Sequence, residues 1–323
     1  MNTAQAQLGA VLSAGGPSLA HLLERTEARL AAVAETHGAA LGAHAAGTLA
    51  AGGKRLRPVL VFLCGDGDGV DERLVAAGAA VELLHMATLV HDDVLDAAKL
   101  RRGRPTVFAV AGRSAATATG DLLFSRAFAE LAATGSEDAV RALSAASSAL
   151  ARGELMQRAD AWDANVTSDR YLERCRLKTA SLFEASCRLG ALFGGRPDLA
   201  PALGQFGERL GVAFQMLDDV LDVSGPAERT GKPRGADLLD CTVTLPLILA
   251  RRQDPTLPGE VTTAQDAEAV CARIAATGAL DDARGQAFAH VTAAKQALDG
   301  LQLSERRANA LQLVADGVVE RYA

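Results

Sequence analysis

Two six-residue stretches, HDDVLD at 91–96 and LDDVLD at 217–222, repeat one acidic pattern inside otherwise apolar segments. On a helix, Asp92 and Asp96 project from one face a turn apart, and Asp218 and Asp222 do the same. Stacked like charges destabilise a helix, and Asp is a poor helix former, so two copies need compensation. Divalent cations supply it, and an all-oxygen ligand set suits magnesium shared with substrate phosphates. A solvated acidic face explains one copy as well as a metal does, but not two copies in strongly apolar helices.

The surrounding pattern is helical throughout. Apolar residues make up 49% of the 323, and helical periodicity runs near 18–50, 56–64, 71–98, 114–133, 136–162, 168–191, 199–223, 239–251, 264–276, 279–299 and 303–321. Ser136 before Glu137 and Asp138 reads as a helix N-cap, and Gly65 to Val70 as a plain turn, since Ala77 stands where a calcium loop needs its closing glutamate. The expected fold is all-α, a single-domain antiparallel helical bundle over 1–323, with 1–15 a loose N-terminal segment.

A net charge of −6 argues against a nucleic-acid surface, so any anionic ligand must be held by local cations. No basic start precedes an apolar core, and no run looks apolar enough to span a bilayer, so the expectation is a cytoplasmic protein without a membrane segment. Five cysteines without CxxC spacing read as reduced, mostly buried residues. Only five of 33 basic residues are lysine, which singles out Lys54, Lys178 and Lys232 in short glycine- or threonine-containing motifs.

In order along the chain, GGKRLRP (52–58), ELLHMATLVHDDVLDAAKLRRGRPT (82–106), GDLLFSRAF (120–128), GELMQ (153–157), KTASLF (178–183), FQMLDDVLDVSG (214–225), GKPRGADL (231–238) and TLP (244–246) resemble the trans-isoprenyl diphosphate synthases, long-chain members in particular. The resemblance implies the isoprenoid-synthase bundle with a central cavity, a homodimer, and three magnesium ions bound with diphosphate. It implies that Lys54, Arg57, His85 and Arg102 hold isopentenyl diphosphate, and that Arg101, Lys178, Thr179, Gln215 and Lys232 contact the allylic diphosphate. Asp92 and Asp96 would share magnesium, and Asp218 and Asp222 would hold another ion. His91 and Asp93, off the metal face, are expected behind the ligands, and Arg55 is expected either to join Lys54 and Arg57 in neutralising a diphosphate or to lie in solvent.

The expected reaction is head-to-tail condensation to an all-trans polyprenyl diphosphate, with Asp92, Asp96, Asp218, Lys178, Lys232 and Arg101 carrying the chemistry. Upstream of Asp92, small residues at Ala87 and Thr88 leave the path of a growing tail open, which favours a long product over a farnesyl or geranylgeranyl one. A class I terpene cyclase is the nearest rival, but only 4% of residues are aromatic and the GGKRLRP site would be idle. A noncatalytic subunit of a two-component synthase would be expected to have lost motif residues, and both acidic sets are intact. One departure stands out: Cys241 and Thr242 occupy positions where many relatives carry Gly-Lys.

Overall fold

The computed structural model describes residues 3–35, 39–50, 55–65, 71–101, 103–225 and 234–320. Lys54, Arg102, Lys232 and most of the Gly65 to Val70 turn lie outside them. The chain divides into two compact units. The first comprises 1–147, 182–204 and 300–313, and the second 148–181, 205–299 and 314–323.

The first unit is built on α1 (Thr3–Gly15), α2 (Pro17–Glu35), α3 (Ala39–Ala50), α4 (Leu56–Cys64), α5 (Glu72–Leu95) and α6 (Val107–Ala132), with α9 (Ser181–Phe193) added later in the chain. α5 is its centre, packed against α6, α2 and α4. Every residue from Leu74 to Leu84 is buried, so this helix is enclosed on all sides, and all but Glu82 of that run are apolar. Each large aliphatic side chain so placed contributes about 1.5–3 kcal/mol. By length and hydropathy α5 could cross a bilayer, contrary to the sequence expectation, yet 78% of its most apolar window is buried within the protein.

A two-residue hairpin, β1 (Leu100–Arg101) with β2 (Arg104–Pro105), joins α5 to α6. Thr106 locks it: the hydroxyl donates to the Ala98 carbonyl at 2.6 Å and accepts from the Ala109 amide at 3.0 Å, capping α6. α6 begins seven residues before its expected start at 114 because Thr106 caps it, and Gly112, at φ 80, kinks it. Two further expectations are corrected. Residues 3–15 are helical rather than loose, and 18–50 is two helices rather than one.

The second unit takes the latter part of α7 (Glu137–Ala159), then α8 (Ser168–Cys175), most of α10 (Ala200–Ser224), α11 (Ala236–Leu239), α12 (Leu245–Gln253), α13 (Ala264–Ala276), α14 (Ala279–Gln296) and the end of α15 (Glu305–Glu320). Ser136 caps α7 as expected, its Oγ accepting from the Ala139 amide at 3.3 Å. α12 packs against α14, α13 and α8. The helix expected over 239–251 begins instead at Leu245, where Thr244 is the N-cap and Pro246 lies in the first turn. Four cysteines are buried and Cys241 is half-buried; all five are reduced.

Candidate active site

In the first unit, Asp71 caps α5 by accepting from the Arg73 amide at 2.8 Å, and the helix runs out at the acidic motif. The Asp96 amide bonds the Asp92 carbonyl at 2.8 Å, so Asp92 sits in the last turn and Asp96 is the cap residue. The last turn contains no basic residue. Carboxylates at a helix C-terminus oppose its dipole by about 0.3–1 kcal/mol each, a cost a bound cation removes. Asp92 is half-buried and Asp96 exposed, while Asp93 is buried and accepts from Arg101 Nε at 2.7 Å.

His91, the residue before the motif, meets Asp121 at 3.2 Å. Gly120 makes room for it, since a Cβ there would lie 2.2 Å from His91 Nε2. His91 and Asp93 are thus each paired with a protein side chain, Asp121 and Arg101 respectively.

The basic segment is anchored differently from expectation. Arg55 is not solvated: it is buried at φ 48, donates to Glu82 Oε1 at 2.6 Å, pairs with Glu27, and reaches the Leu49 carbonyl at 3.1 Å. Glu82 was the missed signal, a carboxylate inside an apolar run that requires a buried cation. Arg57 is half-buried, its guanidinium carbon 4.8 Å from the centre of the Phe183 ring. His85 is half-buried on α5, and its carbonyl accepts from the Thr88 hydroxyl at 2.8 Å.

In the second unit, α10 also ends in its acidic motif without a basic residue in the last turn. Asp218 is exposed, and Asp222 is half-buried, accepting from the Asp237 amide at 3.2 Å. Between them Asp219 is buried and takes hydrogen bonds at 2.7 Å from both the Tyr171 hydroxyl and Gln215 Nε2. The Thr179 hydroxyl donates to Gln215 Oε1 at 2.7 Å, which fixes the orientation of that amide. Burial, with the nearby Asp237 charge, pushes the Asp219 pKa up to about 8 against the pull of its two donors. When Asp219 is protonated the Tyr171 oxygen can accept instead.

Lys178 and Thr179 fall in a turn of π-helix, Arg176–Ala180, spliced between α8 and α9. Such bulges concentrate at functional sites. Lys178 Nζ lies 2.5 Å from Glu154 Oε2. Burial alone would raise the Glu154 pKa, but the charges and hydrogen bonds of Lys178 and Arg158 outweigh it and hold the carboxyl below its ordinary range. Nearby, Cys241 takes a left-handed φ of 63 and Gln157 Nε2 donates to the Thr242 hydroxyl at 3.3 Å.

The polyprenyl synthetase family model matches residues 40–274, which include both acidic motifs, Arg57, His85 and Lys178. The chain belongs to the polyprenyl synthetase family. It is 40% identical over 274 residues to heptaprenyl diphosphate synthase component 2 of Geobacillus stearothermophilus, covering 83% of this chain and 86% of that one. It is 36% identical over 283 residues to the geranylgeranyl diphosphate synthase of Methanosarcina mazei, covering 84% and 86%. Among solved structures, a polyprenyl synthase from Caulobacter crescentus complexed with calcium and isoprenyl diphosphate superposes with a TM-score of 0.87 at 33% identity, covering 98% of each chain.

Family membership makes this polyprenyl synthetase a prenyltransferase, and its all-α architecture agrees with that of its structural neighbours. Among the described residues no three His, Cys, Asp or Glu side chains form a ready metal cage. Carboxylates ending two helices fit a hard cation whose remaining ligands come from a diphosphate. On the Asp92 face of α5 lie Thr88, half-buried, and further back Gly78, where a Cβ would meet the Phe62 ring at 2.6 Å. Ala87 is fully buried.

Proposed function

We propose that this synthetase condenses isopentenyl diphosphate with an allylic diphosphate, head to tail, to give an all-trans polyprenyl diphosphate. The observation that carries the reading is the repeated one: α5 and α10 each end in carboxylates with no basic residue in the last turn, while the middle aspartate of each motif is buried on its own partners. Asp92 and Asp96, and separately Asp218 and Asp222, are the residues that would hold magnesium, three ions in all with bound diphosphate. Magnesium supplies stabilisation of the negative charge that grows on the leaving diphosphate. Lys178, Arg101 and Lys232 add fixed positive charge to that diphosphate, and Thr179 and Gln215 add neutral donors. Arg57, His85, Lys54 and Arg102 hold isopentenyl diphosphate with its double bond facing the allylic carbon. The departing diphosphate takes the proton that restores the double bond.

The product is read as longer than four isoprene units, supported by the small residues Ala87 and Thr88 and by the heptaprenyl relative. A shorter product is the second reading. The Phe62 ring closes this face of α5 at Gly78, about 21 Å of helical rise before Asp92, and one relative is a geranylgeranyl synthase. Sizing the products of wild type, Ala87→Phe and Phe62→Ala separates them. The long-product reading requires shortening in Ala87→Phe, and the short-product reading requires lengthening in Phe62→Ala.

The enzyme is proposed to act in the cytoplasm as a homodimer of one synthetase domain, to which both units belong because the family match runs through parts of each. Activity of the purified single chain distinguishes this from a two-component enzyme such as that of the Geobacillus relative.

A further inference from the structure

The buried side chains around α8 form a connected polar set that the proposed chemistry does not use directly. Tyr171 is fully buried, and its ring lies against the guanidinium of Arg174, the carbon 5.4 Å from the ring centre. Arg174 is itself buried, donates to the Val243 carbonyl, and lies 3.8 Å from the buried Asp160 carboxylate. The ring is therefore held on one side by a fixed cation, and the hydroxyl points to Asp219 Oδ2 at 2.7 Å. Both Asp219 oxygens are occupied by protein donors, Tyr171 on one and Gln215 on the other. That makes Asp219 a poor candidate ligand and a good anchor. Gln215 in turn has its oxygen committed to Thr179 and one N–H to Asp219, which leaves its second N–H to meet a ligand.

We propose that Tyr171 is a positioning residue for the allylic diphosphate. Acting through Asp219, its hydroxyl holds the Gln215 amide in the orientation that presents the second N–H, and holds the last turns of α10 so that Asp218 and Asp222 flank it. The inference rests on the proposed function, because it presumes that an allylic diphosphate and its metal are what Gln215, Asp218 and Asp222 serve. Tyr171 touches no substrate itself. The buried hydrogen bond between Tyr171 and Asp219 fixes both side chains, and without it the Asp219 carboxyl group is under-satisfied and free to turn.

Tyr171→Phe keeps the ring, its packing and its contact with Arg174, and deletes only the hydroxyl. The expected result is a rise of about five- to ten-fold in the KM for the allylic substrate and in the magnesium concentration giving half-maximal rate, with the KM for isopentenyl diphosphate changed by less than about two-fold. Asp219→Asn should move the same two quantities, and the double variant should add little to either single one. A purely structural role predicts a lower melting temperature and less active enzyme with all three constants unchanged, and that pattern in an active enzyme overturns the inference while leaving the proposed function intact. If Tyr171→Phe does not fold, Asp219→Asn carries the same test. A folded wild type that shows no prenyl transfer with any allylic diphosphate overturns the proposed function and this inference with it.

Discussion

The backbone of Lys178 passes so close to Gly153 that a Cβ on the glycine would lie 2.5 Å from the Lys178 amide nitrogen and 2.8 Å from its Cα. Two motifs distant in sequence thus meet backbone to backbone, and Glu154, next to the glycine, takes the lysine's charge at 2.5 Å. Gly153→Ala cannot be absorbed by a side-chain rotation. It should cost about 1–3 kcal/mol of stability. Because it pushes on the π turn carrying Lys178 and Thr179, kcat/KM for the allylic substrate should fall by at least about ten-fold. Steady-state kinetics alongside thermal denaturation check both, and unchanged values of either would show that the turn tolerates displacement.

Arg57 packs over the Phe183 ring, its guanidinium carbon 4.8 Å from the ring centre, which holds the side chain in place. Phe183→Leu retains an apolar filler and removes the aromatic face, a change worth about 0.5–2 kcal/mol when partly desolvated. The KM for isopentenyl diphosphate should rise about three-fold or more and the allylic KM should stay put. Equal changes in both would contradict the assignment of Arg57.

Asp219 has a raised pKa, about 8 in the folded protein against an ordinary 3.8. Below 3.8 it is protonated in both states; between the two values the folded state holds a proton that the unfolded state has released. Its contribution to stability is therefore complete at low pH and lost as pH rises through about 8. In chelator, the melting temperature of wild type relative to Asp219→Asn should fall between pH 5 and pH 8, by roughly the same linkage, and then level off. A difference independent of pH would mean that Asp219 is ionised throughout.

Cys241 holds a left-handed φ of 63, a conformation that suits glycine, and its carbonyl accepts from the Trp162 amide at 3.2 Å. Cys241→Gly removes the steric cost and adds back unfolded-chain entropy, for a net gain of about 0.5–1 kcal/mol. A thermal shift upward checks it. Thr242→Lys in the same loop should tighten allylic binding if the loop serves the diphosphate; no change in affinity would remove the loop from the site.

The acidic motifs were readable because helical spacing alone puts Asp92 with Asp96 and Asp218 with Asp222, and the structure places each pair at a helix end. Scarcity of lysine pointed to Lys178, but nothing local announced the π turn, which is a shift of hydrogen-bond register rather than of residue type. Arg55 was misread because its partners Glu27 and Glu82 come from other helices. Gly120 and Gly153 belonged to recognisable motifs, yet their purpose, leaving space for His91 and for the Lys178 backbone, depends on tertiary contacts alone. The approach of Phe62 from α4 to Gly78 is likewise a tertiary contact that no local pattern announces.

The central claim is that two separate carboxylate sets act through magnesium on a substrate diphosphate. Its most direct test is single-turnover prenyl transfer from an allylic diphosphate to isopentenyl diphosphate, titrated with magnesium, in wild type, Asp92→Ala and Asp218→Ala. The account predicts magnesium-dependent chain elongation in wild type and a loss of at least about a hundred-fold in each variant, with helical content and melting behaviour preserved. Full activity in chelator, or wild-type turnover in either variant, would contradict it.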